Sequence, residues 1–351
     1  MRIRSFALAA AAAGTLIVGG LAGPSVAQAA TAAPSAAAAP ATASTSAAAT
    51  GPASELPAHL LTGYWQDFVN GATPLRLSDV PTTYNLVAVA FATATTTPGA
   101  VTYSVDPDLS TALGGYTDAD FTADIATLHA RGQKVILSVG GQNGTISVSD
   151  STSADAFASS VESLIGQYGF DGVDIDLENG VNPTYMSQAL HSIAAADPGA
   201  IITLAPQTID VLSASSDYLA LALDIKDVLT IMNTQYYNSG SMNGCDGGVY
   251  SEGSVDFITT LACTALQAGL SGSQIGLGLP ASSSAAGSGY VDPSTVTSAL
   301  TCLASGTACG TFTPSTMAPD IRGAMDWSIN WDASNGYAFA NAVSASLGSL
   351  S

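Results

Sequence analysis

The sequence predicts a (β/α)8 barrel, the TIM-barrel architecture, without a sizeable inserted α+β domain. Two observations predict it: eight short β-rich runs recur between Leu61 and Trp327, and helical patterns separate most of them. Strand–helix–strand units repeated in this way bury a parallel sheet under helices, and eight of them can close into a barrel. An open doubly wound sheet is the competing arrangement.

In chain order, residues 1–29 read as an export signal. Arg2 and Arg4 precede an apolar run from Phe6 to Leu21, and Ala27-Gln28-Ala29 offers a small-x-small cleavage pattern. Gly14, Gly19, Gly20, Gly23 and Pro24 interrupt that run, and no other stretch reaches membrane-spanning length, so no membrane partner is expected. Residues 30–55 are almost all Ala, Thr, Ser, Pro and Gly. They carry too little bulky apolar surface to offset chain entropy and read as a disordered linker. Residues 56–351 are assigned to the barrel.

The eight runs are Leu61–Trp65, Asn85–Ala92, Lys134–Val139, Gly172–Leu177, Ile201–Ala205, Val228–Tyr236, Gln274–Leu279 and Gly323–Trp327. Helical patterns between them include Asp120–Gly132, Asp155–Gly169 and Pro183–Asp197, the last opened by Asn182 as a cap ahead of Pro183.

The chain carries 7 Lys+Arg against 27 Asp+Glu, few charges in total, and 47% hydrophobic residues. Nucleic acid is thereby excluded as a partner, because phosphate neutralisation needs clustered Lys and Arg. A neutral polymer fits better. Cys245, Cys263, Cys302 and Cys309 all lie in the last third, and an even number in an exported chain suggests two disulfides. Three pairings are possible; the local ones, Cys245–Cys263 and Cys302–Cys309, are favoured because each staples a loop between core elements. Zinc would need paired Cys-x-x-Cys spacing, and His59, His129 and His191 form no ligand cluster, so neither metal nor cofactor is expected. The expected form is a secreted monomer.

The fourth run carries the chemistry. Along it Asp174, Asp176 and Glu178 share one strand face and Val173, Ile175 and Leu177 the other. In a closed barrel the apolar set faces the helices, so the carboxylates point inward, with Glu178 outermost at the C-terminal end where such folds place their catalytic groups. Asp171 has the opposite parity and reads as structural. Three carboxylates along roughly 13 Å of poorly solvated strand cannot all ionise cheaply. A proton is shared, and Glu178 becomes a carboxylic acid suited to protonate a leaving alcohol. Taken alone, the row also fits a buried hydrogen-bond network serving only stability.

Asp171 to Glu178, "DGVDIDLE", matches the D-G-x-D-x-D-x-E signature of family 18 glycoside hydrolases, the chitinases and related endo-β-N-acetylglucosaminidases. "KVILSVGG" (Lys134 to Gly141) resembles the family's S-x-G-G strand, and "LAPQ" (Leu204 to Gln207), "MNTQYYN" (Met232 to Asn238) and "GAMDWSINWD" (Gly323 to Asp332) resemble its fifth, sixth and eighth strands in order. "GYWQDFVNG" at Gly63 to Gly71 is similar to single-domain bacterial and plant-type chitinases.

The resemblance implies that Glu178 protonates the glycosidic oxygen, Asp176 orients the substrate's 2-acetamido group, and Asp174 holds a proton with Asp176. It implies that Tyr237 supports the acetamido carbonyl, with Gln235 and Asn238 lining the same subsite, Trp327 under the sugar and Met232 as another wall. Tyr64 and Gln207 join the substrate-binding set by the same likeness. Asp171, Gly172, Ser138, Gly140 and Gly141 are its structural motif residues. Ordinary retaining glycosidases set a nucleophile carboxylate about 5 to 5.5 Å across the sugar from the acid, whereas here the carboxyls come from one strand. The nucleophile is then the substrate's own N-acetyl oxygen.

Between the seventh and eighth strands much of the sequence is Ser, Gly, Ala and Thr, too short and polar for the α+β insertion of larger relatives. An open cleft and internal cleavage of chitin or chitooligosaccharides are expected. No separate carbohydrate-binding module is legible. A lectin on the same barrel and an endo-β-N-acetylglucosaminidase acting on N-glycans remain alternatives; the lectin reading sits poorly with the presence of Glu178.

Overall fold

Residues 56–350 are described by a computed structural model; the export signal and linker expected for residues 1–29 and 30–55 lie outside the described residues. The barrel strands are β1 Leu60–Gln66, β2 Leu86–Ala94, β3 Lys134–Gly140, β4 Gly172–Asp176, β5 Ile201–Leu204, β6 Ile231–Gln235, β7 Ile275–Pro280 and β8 Gly323–Trp327. Each pairs in parallel with its chain neighbour, and β1 pairs with both β2 and β8, which closes the barrel. The doubly wound alternative is thereby excluded. β6 is shorter than its sequence run because the N–H groups of Val228 and Leu229 both donate to the Ile225 carbonyl in a preceding turn.

The helices are α1 Pro107–Ala112, α2 Asp118–Ala130, α3 Ser151–Tyr168, α4 Pro183–Ala196, α5 Asp217–Asp224, α6 Val255–Ala268, α7 Pro293–Ser305, α8 Ile329–Ser334 and α9 Ala338–Leu347. Local chemistry sets their starts. Thr117 and Asp150 close reciprocal capping boxes on α2 and α3, and Asn182 accepts from the Tyr185 N–H ahead of Pro183 on α4. None of these helices is long and apolar enough to cross a membrane.

Strand parity divides the apolar side chains into two layers. Val173, Ile175 and Leu177 join the layer between strands and helices, while a smaller cluster including Leu60, Tyr64, Leu86, Ala88, Ile136, Ile231 and Met325 fills the barrel. Val173 and Ile175 are fully buried, each worth about 1.5–3 kcal/mol relative to exposure. A one-residue slip of β4 would drive Asp174 and Asp176 against the helices, so burial itself fixes which way the carboxylates face.

Between β7 and β8 there is α7 with its loops and no inserted domain. The β6–α6 connection instead carries a short hairpin, Ser241–Asn243 paired with Val249–Ser251. Both disulfides have the local pairing: Cys245–Cys263 ties the hairpin to α6, and Cys302–Cys309 ties α7 to the loop that follows it.

The end of β8 is anchored by a buried acid pair. The Tyr84 hydroxyl lies 2.6 Å from Asp326 Oδ2 and 2.7 Å from Asp332 Oδ2, and one hydroxyl proton cannot serve two carboxylates. Asp332 also accepts the N–H groups of Phe339 and Ala340. Burial first, and then the charge of Asp332, push Asp326 well above the usual carboxylate range, which makes Asp326 the protonated partner.

Asp67, just beyond β1, yields a pH-dependent prediction. Burial, opposed in part by the Asp106 N–H and reinforced by the charges of Asp106 and Asp118, pushes its carboxyl up to about 8. From about pH 4 to 8 the folded state then keeps a proton that the unfolded chain has lost. Stability falls as pH rises through that window, by at most about 6 kcal/mol for a shift of this size. Asp67→Asn keeps the acceptor for Asp106 and removes the charge. Its melting temperature should match the wild type near pH 4 and exceed it by several degrees at pH 8; equal differences at both pH values would refute the assignment.

Candidate active site

The site is built on successive rungs of the barrel. Ser138 on β3, Asp174 on β4 and Thr203 on β5 are paired in register. Asp174 is 1% exposed, and Ser138 Oγ (2.6 Å), Thr203 Oγ1 (2.5 Å) and the Tyr64 hydroxyl from β1 (2.6 Å) all donate to its carboxylate. One rung higher Gly140 lies beside Asp176. A Cβ on Gly140 would sit 2.1 Å from the Asp176 carbonyl oxygen, and its φ of +131° is closed to other residues, so the close approach of β3 requires glycine. The Gly141 N–H donates to that same carbonyl at 2.7 Å.

Asp176 is 4% exposed, and its Oδ1 accepts from Gln235 Nε2 at 2.8 Å; Gln235 also donates to the Ala205 carbonyl. Burial, then the charges of Asp174 and Glu178, raise Asp176 well above the usual range. Burial also raises Asp174, against the pull of its three hydroxyl donors. Those donors make Asp174 the better place for the negative charge, so Asp176 carries the proton in the resting site. Glu178, just past the end of β4, is half-buried, raised by burial, and accepts from Gln207 Nε2 at 3.3 Å.

Asp176, Glu178, Gln207, Gln235, Tyr237, Asn238 and Trp327 line one groove of about 950 Å3. The Tyr237 hydroxyl makes no hydrogen bond to the described residues, and burial followed by the charges of Asp176 and Glu178 raises its pKa. It is therefore a neutral donor in the groove that the acids line. Trp327 forms the floor, stacked on Phe91 at 5.9 Å, edge-on to Tyr64 at 5.6 Å and beside Phe68 at 6.4 Å. Asn238 Oδ1 accepts the Ser288 N–H at 3.0 Å and so ties down a small-residue wall, Ser284 to Gly287. A second depression of about 670 Å3 between α7 and α9 is lined mostly by Ser, Thr and Ala, with Asp292 the one carboxylate among its lining residues. Among the described residues no group of three or more His, Cys, Asp or Glu is arranged to hold a metal ion.

Two residues expected at the substrate lie elsewhere. Met232 is 1% exposed and packs in the strand–helix layer, because β6 turns Ile231, Asn233 and Gln235 inward and Met232 has the other parity. Tyr64 points inward but too deep: it is 1% exposed, under Trp327, and reaches Asp174 rather than the groove. Asp171 sits at the opposite end of β4. There it accepts from His129 (2.7 Å), Lys134 Nζ (2.9 Å) and the Val135 N–H (2.8 Å), which together outweigh its burial and hold its carboxyl below the usual range. Gly172 lies against the Ile201 backbone.

Sequence reasoning missed Phe68, Asn70, Phe91, Gln142 and Asn143, which also line the groove. Phe91 is hidden from an alternating pattern by a register shift in β2 between Ala90 and Ala92. Asn179, next to Glu178, pins the loop carrying Gln142 and Asn143 by donating to the Gly144 carbonyl at 2.9 Å.

Residues 61–344 match the family model described as Glycosyl hydrolases family 18. The chain belongs to that family. Chitinase Chi52 of Paenibacillus xylanexedens is 36% identical over 330 residues, covering 83% of this chain and 62% of the relative. Chitinase D of Niallia circulans is 34% identical, covering 83% and 62%. The chain thus spans about three fifths of the length of these two relatives. The crystal structure of a Streptomyces coelicolor protein provisionally called Chitinase A superposes with TM-score 0.82 at 58% identity, covering 84% of this chain and 99% of that one. A xylanase–α-amylase inhibitor protein solved with trehalose shares the barrel at TM-score 0.60 and 19% identity, covering 81% and 97%. The barrel fold alone therefore does not decide the chemistry, which rests with the site.

Proposed function

We propose that the chain is a secreted, endo-acting chitinase that hydrolyses β-1,4 bonds between N-acetylglucosamine units with retention, through the substrate's own acetamido group. The observation that carries this reading is the composition of the groove: among the described residues its only carboxylates are Asp176 and Glu178, side by side from β4, and Tyr237 lines the same groove. Among the described residues no carboxylate from another strand lines the groove to act as nucleophile. The names of the two chitinase relatives point the same way, and the short connection between β7 and β8 leaves a groove open to a continuing chain. Arg2, Arg4 and the apolar run after them, with two disulfides, support export.

In this mechanism a sugar lies on Trp327 with its glycosidic oxygen at Glu178. Burial keeps Glu178 protonated further toward neutral pH, and it donates that proton to the departing alcohol. Asp176 turns from Gln235 to accept the acetamido N–H, and the acetamido oxygen attacks the anomeric carbon. Tyr237 donates to that oxygen and holds the acetamido group in place for attack. Asp174, steadied by Ser138, Thr203 and Tyr64, receives the proton that Asp176 gives up as it turns. Glu178, now a carboxylate, activates the water that opens the oxazolinium-like ring.

The test is to incubate the protein separately with a chitin hexamer, its fully deacetylated counterpart and a high-mannose glycoprotein. Internal fragments are expected from the hexamer alone. Release of the glycan would favour an endo-β-N-acetylglucosaminidase, and cleavage of the deacetylated chain would refute acetamido participation. Tyr237→Phe should lower kcat roughly 100-fold with KM nearly unchanged, the usual worth of one well-placed donor.

A further inference from the structure

The Tyr237 side chain stands at the site, but its main chain is held from outside the groove. Ser239 Oγ donates to the Tyr237 carbonyl at 2.7 Å and accepts from Thr208 Oγ1 at 2.7 Å. The Ser239 N–H donates to Glu252 Oε2 at 2.8 Å, and the Glu252 N–H donates to the Gly240 carbonyl at 2.7 Å. From the other side Gly289 closes on the same unit: a Cβ there would lie 2.6 Å from Tyr237 Cα and 3.1 Å from Glu252 Oε2, at φ +86°. Glu252 follows directly on the hairpin strand Val249–Ser251, and the turn of that hairpin is stapled by Cys245–Cys263. The carboxylate therefore sits on a cross-linked element outside the barrel, grips the turn after β6, and does not line the groove.

We propose that Glu252 is a positioning residue for the reaction: it sets Tyr237 where its hydroxyl meets the acetamido oxygen. The inference rests on the role given to Tyr237 above. Glu252 has no contact with substrate and acts only through the turn. Its accepting oxygen is what matters, since one backbone N–H is what it binds, and a misplacement of the hydroxyl by a fraction of an ångström leaves the acetamido oxygen less well aimed at the anomeric carbon.

The experiment compares Glu252→Ala, Glu252→Gln and Ser239→Ala in the wild-type and Tyr237→Phe backgrounds, with kcat and KM on a chitin oligomer. Glu252→Ala should lower kcat about tenfold with KM within about twofold, and Glu252→Gln, whose amide oxygen still accepts the Ser239 N–H, should restore most of it. In the Tyr237→Phe background Glu252→Ala should cost less than about twofold more, because the hydroxyl it positions is gone. If Glu252→Ala does not fold, Ser239→Ala decides, since it removes the grip on the Tyr237 carbonyl and leaves the hairpin intact. A wild-type kcat for the alanine variants, an undiminished loss in the Tyr237→Phe background, or no rescue by glutamine would overturn the proposal. Tyr237→Phe alone at the wild-type rate would instead overturn the role of Tyr237 and the inference with it.

Discussion

Glu178→Gln is expected to lower turnover by roughly two to four orders of magnitude while sugar binding survives, the usual worth of a general acid. Glutamine keeps the shape and can still accept from Gln207, so the 3.3 Å contact and the groove wall persist. What disappears is the proton. The loss should fall on kcat rather than KM, because protonation of the leaving oxygen counts only as the bond breaks. In the wild type the basic limb of the rate profile should track Glu178, whose pKa burial raises, so activity falls as pH rises through that value. A folded Glu178→Gln variant with near-wild-type turnover, or with the wild-type basic limb, would contradict the assignment.

Asp176→Asn should move activity and stability in opposite directions. Asp176 is buried between two other acids and raised well above its ordinary pKa, so keeping it there costs the fold stability at neutral pH. Asparagine removes that cost and can still accept from Gln235. The melting temperature at pH 7 should hold or rise. Turnover should nonetheless fall by about two to three orders of magnitude, because an amide cannot give its proton to Asp174 and then receive the acetamido N–H as a charged acceptor. This pairing of lost rate with undiminished stability is the mark of a residue kept for chemistry at a cost to the fold. A variant that melts earlier yet turns over normally would make Asp176 a structural residue.

The fold was legible in the alternation of eight β-rich runs with helical patterns, and the carboxylate row in period two. Asp174, Asp176 and Glu178 share a parity that Val173, Ile175 and Leu177 do not, and burial of the apolar set leaves the acids one place to face. The misplaced residues fail for related reasons. Met232 lies three positions before Gln235 on one strand, so if Gln235 faces inward Met232 faces out, and the same rule read backwards from Gln235 would have removed it. Tyr64 has the right parity, but depth along the barrel axis is not written in alternation. Phe91 needed the β2 bulge, which no pattern of polar and apolar residues announces. The grip of Glu252 on Ser239 depends on the course of an excursion outside the eight-fold repeat, and only three-dimensional placement reveals it.

The central claim is that the nucleophile belongs to the substrate, and the anomeric configuration of the first product tests it most directly. Proton NMR of a chitin tetramer or hexamer, recorded within the first minutes of reaction and before mutarotation, should show the β anomer accumulating ahead of the α form. Two displacements at one carbon, the first by the acetamido oxygen and the second by water activated at Glu178, require that order. Early appearance of the α anomer would mean a single displacement by water from the far face. That reaction needs a base opposite Glu178, and a site whose acids all descend from β4 could not supply one.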